Sequence, residues 1–122
     1  MSQKKVMVID VDPGMQDAFR LIFERAGYDT VVLSSARTVL DGTAPIPDIY
    51  VLDKQLSGVD GLDVCRFLKA QEPGKIRPVI MVSATSYVAR LAQAACADGF
   101  IEKPFRRKDL LDMVALHISA KI

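Results

Sequence analysis

The chain has 122 residues, half of them hydrophobic, with 16 basic and 15 acidic side chains and a formal net charge of +1. One domain is expected at that length, and near-neutrality gives no electrostatic case for nucleic acid or an anionic membrane surface. The apolar runs are too short to span a bilayer and no charged-then-apolar leader opens the chain, so a cytoplasmic protein is expected.

Val6–Ile9 is a continuous apolar run that stops at Asp10, Val11, Asp12 and Pro13, as a strand buried on both faces would. Asp12 is placed to cap the next helix, with Pro13 in its first turn. Met15, Ala18, Ile22 and Ala26 form the predicted buried stripe, Phe19 and Phe23 lie beside it, and Gly27 ends the helix. TVVL (30–33) is the second strand. Ser34 or Ser35 caps a short helix that runs through Leu40 and breaks at Gly42, and TAPIP is a loop. IYVL (49–52) is the third strand and again ends in an acid, Asp53. QLSGVDG is a loop in which Asp60 caps a helix carrying Leu62, Val64, Cys65 and Leu68, which Pro73 and Gly74 end. PVIMV (78–82) is the fourth strand, ending in Ser83, and a helix with Val88, Leu91, Ala92 and Ala95 follows. GFI (99–101) is a short fifth strand that runs into Glu102, Lys103 and Pro104. A last helix presents Leu110, Leu111, Val114 and Ile118.

Cys65 and Cys96 fall inside predicted helices without CxxC or zinc spacing, and read as two reduced, partly buried thiols. His117 reads as a surface helix residue, and Arg106–Lys108 as a solvated face.

Five strands alternating with five helices predict an α/β domain, a parallel sheet wound on both faces by right-handed crossovers. Such sheets bind ligands outside the carboxyl ends of their strands. Those ends carry Asp10, Asp12, Asp53, Ser83 and Lys103. Carboxylates there can hold magnesium, a carboxylate can act as nucleophile and form an aspartyl phosphate, and a hydroxyl and an ammonium can donate to phosphoryl oxygens.

Four segments in this order, VMVIDVDP, DIYVLDKQLSGVDGLDVCRFL, RPVIMVSAT and ADGFIEKPF, resemble the receiver domain of bacterial two-component response regulators. The resemblance covers essentially the whole chain, so residues 1–122 are expected to form one receiver domain. It implies a flavodoxin-like (βα)5 sheet in the order 2-1-3-4-5. It implies Asp53 as acceptor of a phosphoryl group from a histidine kinase or phosphotransfer protein, with Ser83 and Lys103 assisting. Magnesium is implied on Asp10, Asp53 and the main-chain carbonyl of Gln55. It further implies Phe100 at the aromatic switch position, where any switching is by packing because the ring lacks a tyrosine hydroxyl, and a cis bond at Lys103–Pro104. Such a domain is a phosphoacceptor for signalling rather than an enzyme, with at most self-catalysed phosphorylation and dephosphorylation. Its partner is a downstream protein or a fused output domain, with no nucleic acid or membrane bound by this domain. The chain is expected to be either a stand-alone docking regulator or a receiver excised from something larger.

The sequence departs from the receiver pattern at Val11. Receivers carry two adjacent acids after the first strand; Asp10 matches the first and Val11 the second. Losing one acid relieves like-charge repulsion in the metal-free pocket, weakens magnesium and slows phosphoryl transfer. Asp12, next in line, is expected to cap the helix rather than to ligate, although it or a shifted Asp10 would rescue the site. Ser57 stands where a proline is common before Gly58. A receiver that has lost phosphorylation and acts as a docking module is the alternative reading. A more distant one is a haloacid-dehalogenase-type phosphatase, whose opening Asp-x-Asp motif VIDVD resembles, with Asp10 as nucleophile and Asp12 as acid/base. That reading lacks a further acidic motif after Lys103 and leaves Asp53 unexplained.

Overall fold

A computed structural model describes residues 3–71 and 77–120. Strands β1 (Lys5–Ile9), β2 (Asp29–Leu33), β3 (Ile49–Asp53), β4 (Val79–Ser83) and β5 (Gly99–Glu102) alternate with helices α1 (Pro13–Arg25), α2 (Arg37–Leu40), α3 (Gly61–Lys69), α4 (Val88–Ala94) and α5 (Arg107–Ala120). All pairings are parallel and the sheet order is β2-β1-β3-β4-β5. That is the flavodoxin-like order implied by the resemblance.

The apolar runs are continuous because alternate residues of each strand feed two separate cores. Met7, Ile9, Tyr50, Leu52, Val79 and Met81 face α2, α3 and α4. Val6, Val8, Ile49, Val51, Ile80 and Val82 face α1 and α5. The register sets Asp53 beside Val82 and Ser83 beside Glu102, so the strand ends that carry polar groups are level.

Helix α1 starts as expected: Asp12 is its N-cap and accepts from the Gly14 N–H at 3.2 Å. Its buried face differs from the expected stripe. Phe19 and Phe23 are fully buried and stack at 6.1 Å, Met15, Ala18 and Ile22 flank them half-buried, and Ala26 is exposed. Two phenylalanines four residues apart remove far more apolar area than the smaller stripe does, so they take the centre. Ala36 is the N-cap of α2, while the Ser35 hydroxyl only accepts a long 3.4 Å bond from the Arg37 N–H. Gly27 and Gly42 follow α1 and α2 with positive φ, the left-handed stop. Helix α3 is capped by Asp60 and ends at Lys69; Pro73 and Gly74 lie outside the described residues.

Of the two cysteines, Cys65 falls in its expected helix and Cys96 does not. Cys65 is buried in α3, but Cys96 lies past the end of α4, exposed, with φ of 67°. His117 is half-buried rather than on the surface, its two ring nitrogens 2.9 Å from the main-chain oxygens of Met113 and Asp98. The basic run is solvated as expected, with Arg106 and Lys108 paired to Asp109 and Asp112 along α5. No described helix is long and apolar enough to cross a membrane.

Candidate functional site

Asp10 follows β1 directly and is fully buried. Its main chain is held twice: its N–H donates to the Leu33 oxygen at 3.1 Å, and its carbonyl accepts from Gln16 Nε2 at 2.6 Å. Its Oδ1 accepts from the Asp12 N–H at 2.9 Å, which leaves Oδ2 directed at the chemistry. Asp53 closes β3 and is 6% exposed. Its Oδ1 accepts from the Gln55 N–H at 3.3 Å. Lys103 follows β5, and its ammonium donates to Asp10 Oδ2 and Asp53 Oδ2, each at 3.1 Å. Ser83 closes β4, nearly buried, and its Oγ accepts from the Thr85 N–H at 3.1 Å. Ladder bonds continue past the strands, from the Lys54 N–H to Val82 and from the Lys103 N–H to Ser83, and fix these ends side by side. The Lys103–Pro104 peptide is cis, as expected.

Burial raises the Asp53 carboxyl above its ordinary value; Lys103 opposes the rise and the charge of Asp10 adds to it. Burial alone would lower Lys103. The hydrogen bonds and charges of Asp10 and Asp53 together outweigh it and hold the ammonium above its ordinary value. The site is therefore an ion triad with one more negative than positive charge when both acids are ionised.

Asp12 does not join it. Its carboxylate caps α1 and is exposed, as expected of a cap. Val11 is 43% exposed and brings no donor. Among the described residues no group of three or more His, Cys, Asp or Glu converges. Two carboxylates remain, which fits magnesium in its usual manner, with one or two carboxylates and several retained waters. A cleft of about 430 Å³ opens beside the triad between Met15, Ala18, Ala84, Pro104 and Phe105, with Lys103 on its wall. Phe100 is half-buried against the core under α2–α4.

Three residues hold this geometry, and for two of them, Gln16 and Lys54, the sequence carried no signal. Gln16 pins the Asp10 peptide from α1. Lys54 pairs with the α3 cap Asp60 at 3.3 Å and folds the loop back. Gly61 permits that fold: a Cβ there would lie 2.1 Å from the Asp53 carbonyl oxygen and 2.7 Å from Lys54 Cα. The glycine was visible in the SGVDG stretch; its reason, close approach of backbone, was not.

A sequence profile of the response regulator receiver domain matches residues 6–115. The DNA-binding response regulator MtrA of Mycolicibacterium smegmatis is 30% identical over 115 residues, 92% of this chain and 49% of that protein. The DNA-binding dual master transcriptional regulator RpaA of Synechocystis is 32% identical over 116 residues, 90% of this chain and 47% of that one. The chain thus spans about half the length of these curated relatives. The crystal structure of the receiver domain of sensor histidine kinase PA1611 from Pseudomonas aeruginosa, with a magnesium ion coordinated in its active-site cleft, superposes with a TM-score of 0.88 at 20% identity, covering 97% of this chain and 99% of that one.

Proposed function

Because the chain belongs to the response regulator receiver family, we propose that it accepts a phosphoryl group on Asp53 from a histidine kinase or phosphotransfer protein and signals by altered docking. The observation that carries this reading is the Lys103 ammonium held 3.1 Å from both Asp10 and Asp53 at level strand ends. An Asp53 carboxylate oxygen, giving up one of its hydrogen bonds, attacks phosphorus in line; the new O–P bond forms as the donor's P–N bond breaks, and the imidazole leaves, taking a proton from water. Lys103 and the Ser83 hydroxyl lie at neighbouring strand ends, where they can donate to the phosphoryl oxygens. Magnesium, held by Asp10, Asp53 and the Gln55 carbonyl, would neutralise charge that develops on the transferring group. The docking partner is a downstream protein or an output domain, and the setting is cytoplasmic.

The test is incubation with magnesium and acetyl phosphate or a cognate kinase. A hydroxylamine-sensitive adduct should form on wild type and be absent from Asp53→Ala. An adduct that persists in Asp53→Ala would remove Asp53 as the acceptor.

A second reading rests on Val11. With one acid fewer and a lysine already neutralising one of the two carboxylates, the pocket has less need of a metal, as a phosphorylation-independent docking module would. Pull-downs with wild type and Asp53→Ala separate the two: equal capture under phosphorylating and non-phosphorylating conditions supports the second.

A further inference from the structure

We propose that Cys65 and Cys96 form a peroxide-responsive thiol pair that closes reversibly to an intramolecular disulfide. They are the only cysteines in the chain, and α3 and the turn after α4 bring them to one seam. The Cys65 thiol donates to the carbonyl oxygen of Ala95 at 3.4 Å, and that carbonyl leads directly into the Cys96 amide. Across a trans peptide a carbonyl oxygen sits about 3 Å from the next Cα, so Cys65 Sγ is at most about 6 Å from Cys96 Cα. Disulfide closure then needs a movement of the 95–97 turn that carries the Cys96 side chain toward α3.

The two thiols stand in different surroundings. Cys96 is exposed, on the wall of a cleft shared with Arg66, Lys69 and Ala94. Its φ of 67° is the left-handed conformation that glycine adopts freely and other residues adopt at a cost. The position is the left-handed stop after α4, equivalent in the fold to Gly27 after α1 and Gly42 after α2, and here it carries a thiol. Cys65 has no exposed surface, and burial pushes its thiol up to about 11, so it stays protonated and is shielded from oxidants. The asymmetry fixes the order of events. The sulfur of Cys96 attacks one oxygen of hydrogen peroxide, the O–O bond breaks, and the departing hydroxide takes up the thiol's proton and leaves as water, giving a sulfenic acid. The sulfur of Cys65 then attacks the Cys96 sulfur; its proton departs with the hydroxyl as water and the S–S bond forms. Two thiols are oxidised by two electrons and hydrogen peroxide is reduced to water. The bond ties α3 to the turn between α4 and β5, and a thiol reductant reopens it.

The test exposes the full chain to hydrogen peroxide and follows intact mass, titratable thiols in denaturant and peptides mapped without reduction. Wild type should lose about 2 Da and both thiols, form no intermolecular disulfide, and recover both thiols with dithiothreitol. The oxidised form should melt on the order of 10 °C higher, because the bridge closes a long loop. Cys96→Gly keeps the core intact and suits the left-handed backbone; it should leave Cys65 unmodified under the same exposure. Cys65→Ala should stop at a dimedone-trappable sulfenic acid on Cys96. Wild type that ends with sulfinic acid on Cys96, or with an intermolecular dimer, while Cys65 stays free would overturn the proposal. So would Cys96→Gly protein in which Cys65 oxidises as fast as in wild type.

Discussion

Lys103 does most to make a buried acid pair tolerable. Lys103→Met leaves Asp10 and Asp53 facing each other with no cation, and should cost about 3 kcal/mol in urea unfolding, as breaking buried ion pairs does. Asp53→Asn should act in the opposite direction. The folded carboxyl lies above its ordinary value of 3.8, so the folded state binds more protons than the unfolded state across that window, and ionised Asp53 weakens the fold as pH rises through it. The variant should therefore melt higher than wild type at neutral pH, and the advantage should shrink to nothing below the ordinary value. Val11→Asp adds a third acid at the mouth. It should tighten magnesium about tenfold and lower the metal-free melting temperature, both read in one thermal titration. Unchanged magnesium affinity would show that Asp10 and Asp53 already complete the site. These residue types were legible because apolar strands that end in acids, a hydroxyl and a lysine are conspicuous. Gln16 was not, because it reaches Asp10 only once the strand-to-helix turn is drawn.

At the scale of elements, the loop from Asp53 to α3 positions the acceptor. A Gly61→Ala methyl would collide with main chain on two residues, which cannot rotate away, so the start of α3 or Asp53 itself must move. The expected outcome is a loss of about 2 kcal/mol or more and slower adduct formation, measured by unfolding and by acetyl phosphate labelling. Asp60→Ala loses the cap and the Lys54 partner, and should cost about 1 kcal/mol with a smaller effect on labelling. Caps such as Asp12 and Asp60 were readable because they act locally, through their own next residues. Element ends without such a device were not. Nothing in AACADGF says that α4 stops before Cys96, and the clamp on His117 depends on a carbonyl 19 residues away.

At the scale of the molecule, the sheet divides two cores that share no side chain among the described residues, so substitutions on its opposite faces should not couple. Ile49→Val on the α1–α5 side should cost about 1 kcal/mol, Leu68→Ala on the other side about 3 kcal/mol, and the double variant their sum within about 0.5 kcal/mol. The alternation of strands and helices made the parallel sheet legible. The strand order came only with family resemblance, because no local pattern states which strands are neighbours. That order has a consequence for the growing chain. The centre of the sheet pairs β1 with β3, which sets the carboxylates of Asp10 and Asp53 together, yet the ammonium that neutralises them is 93 residues beyond Asp10. Until β5 has left the ribosome, docking the first three strands buries two like charges with no counter-ion. Closing the early half of the chain on its own with both acids ionised is thus disfavoured, and the counter-ion arrives only with the residue that follows β5.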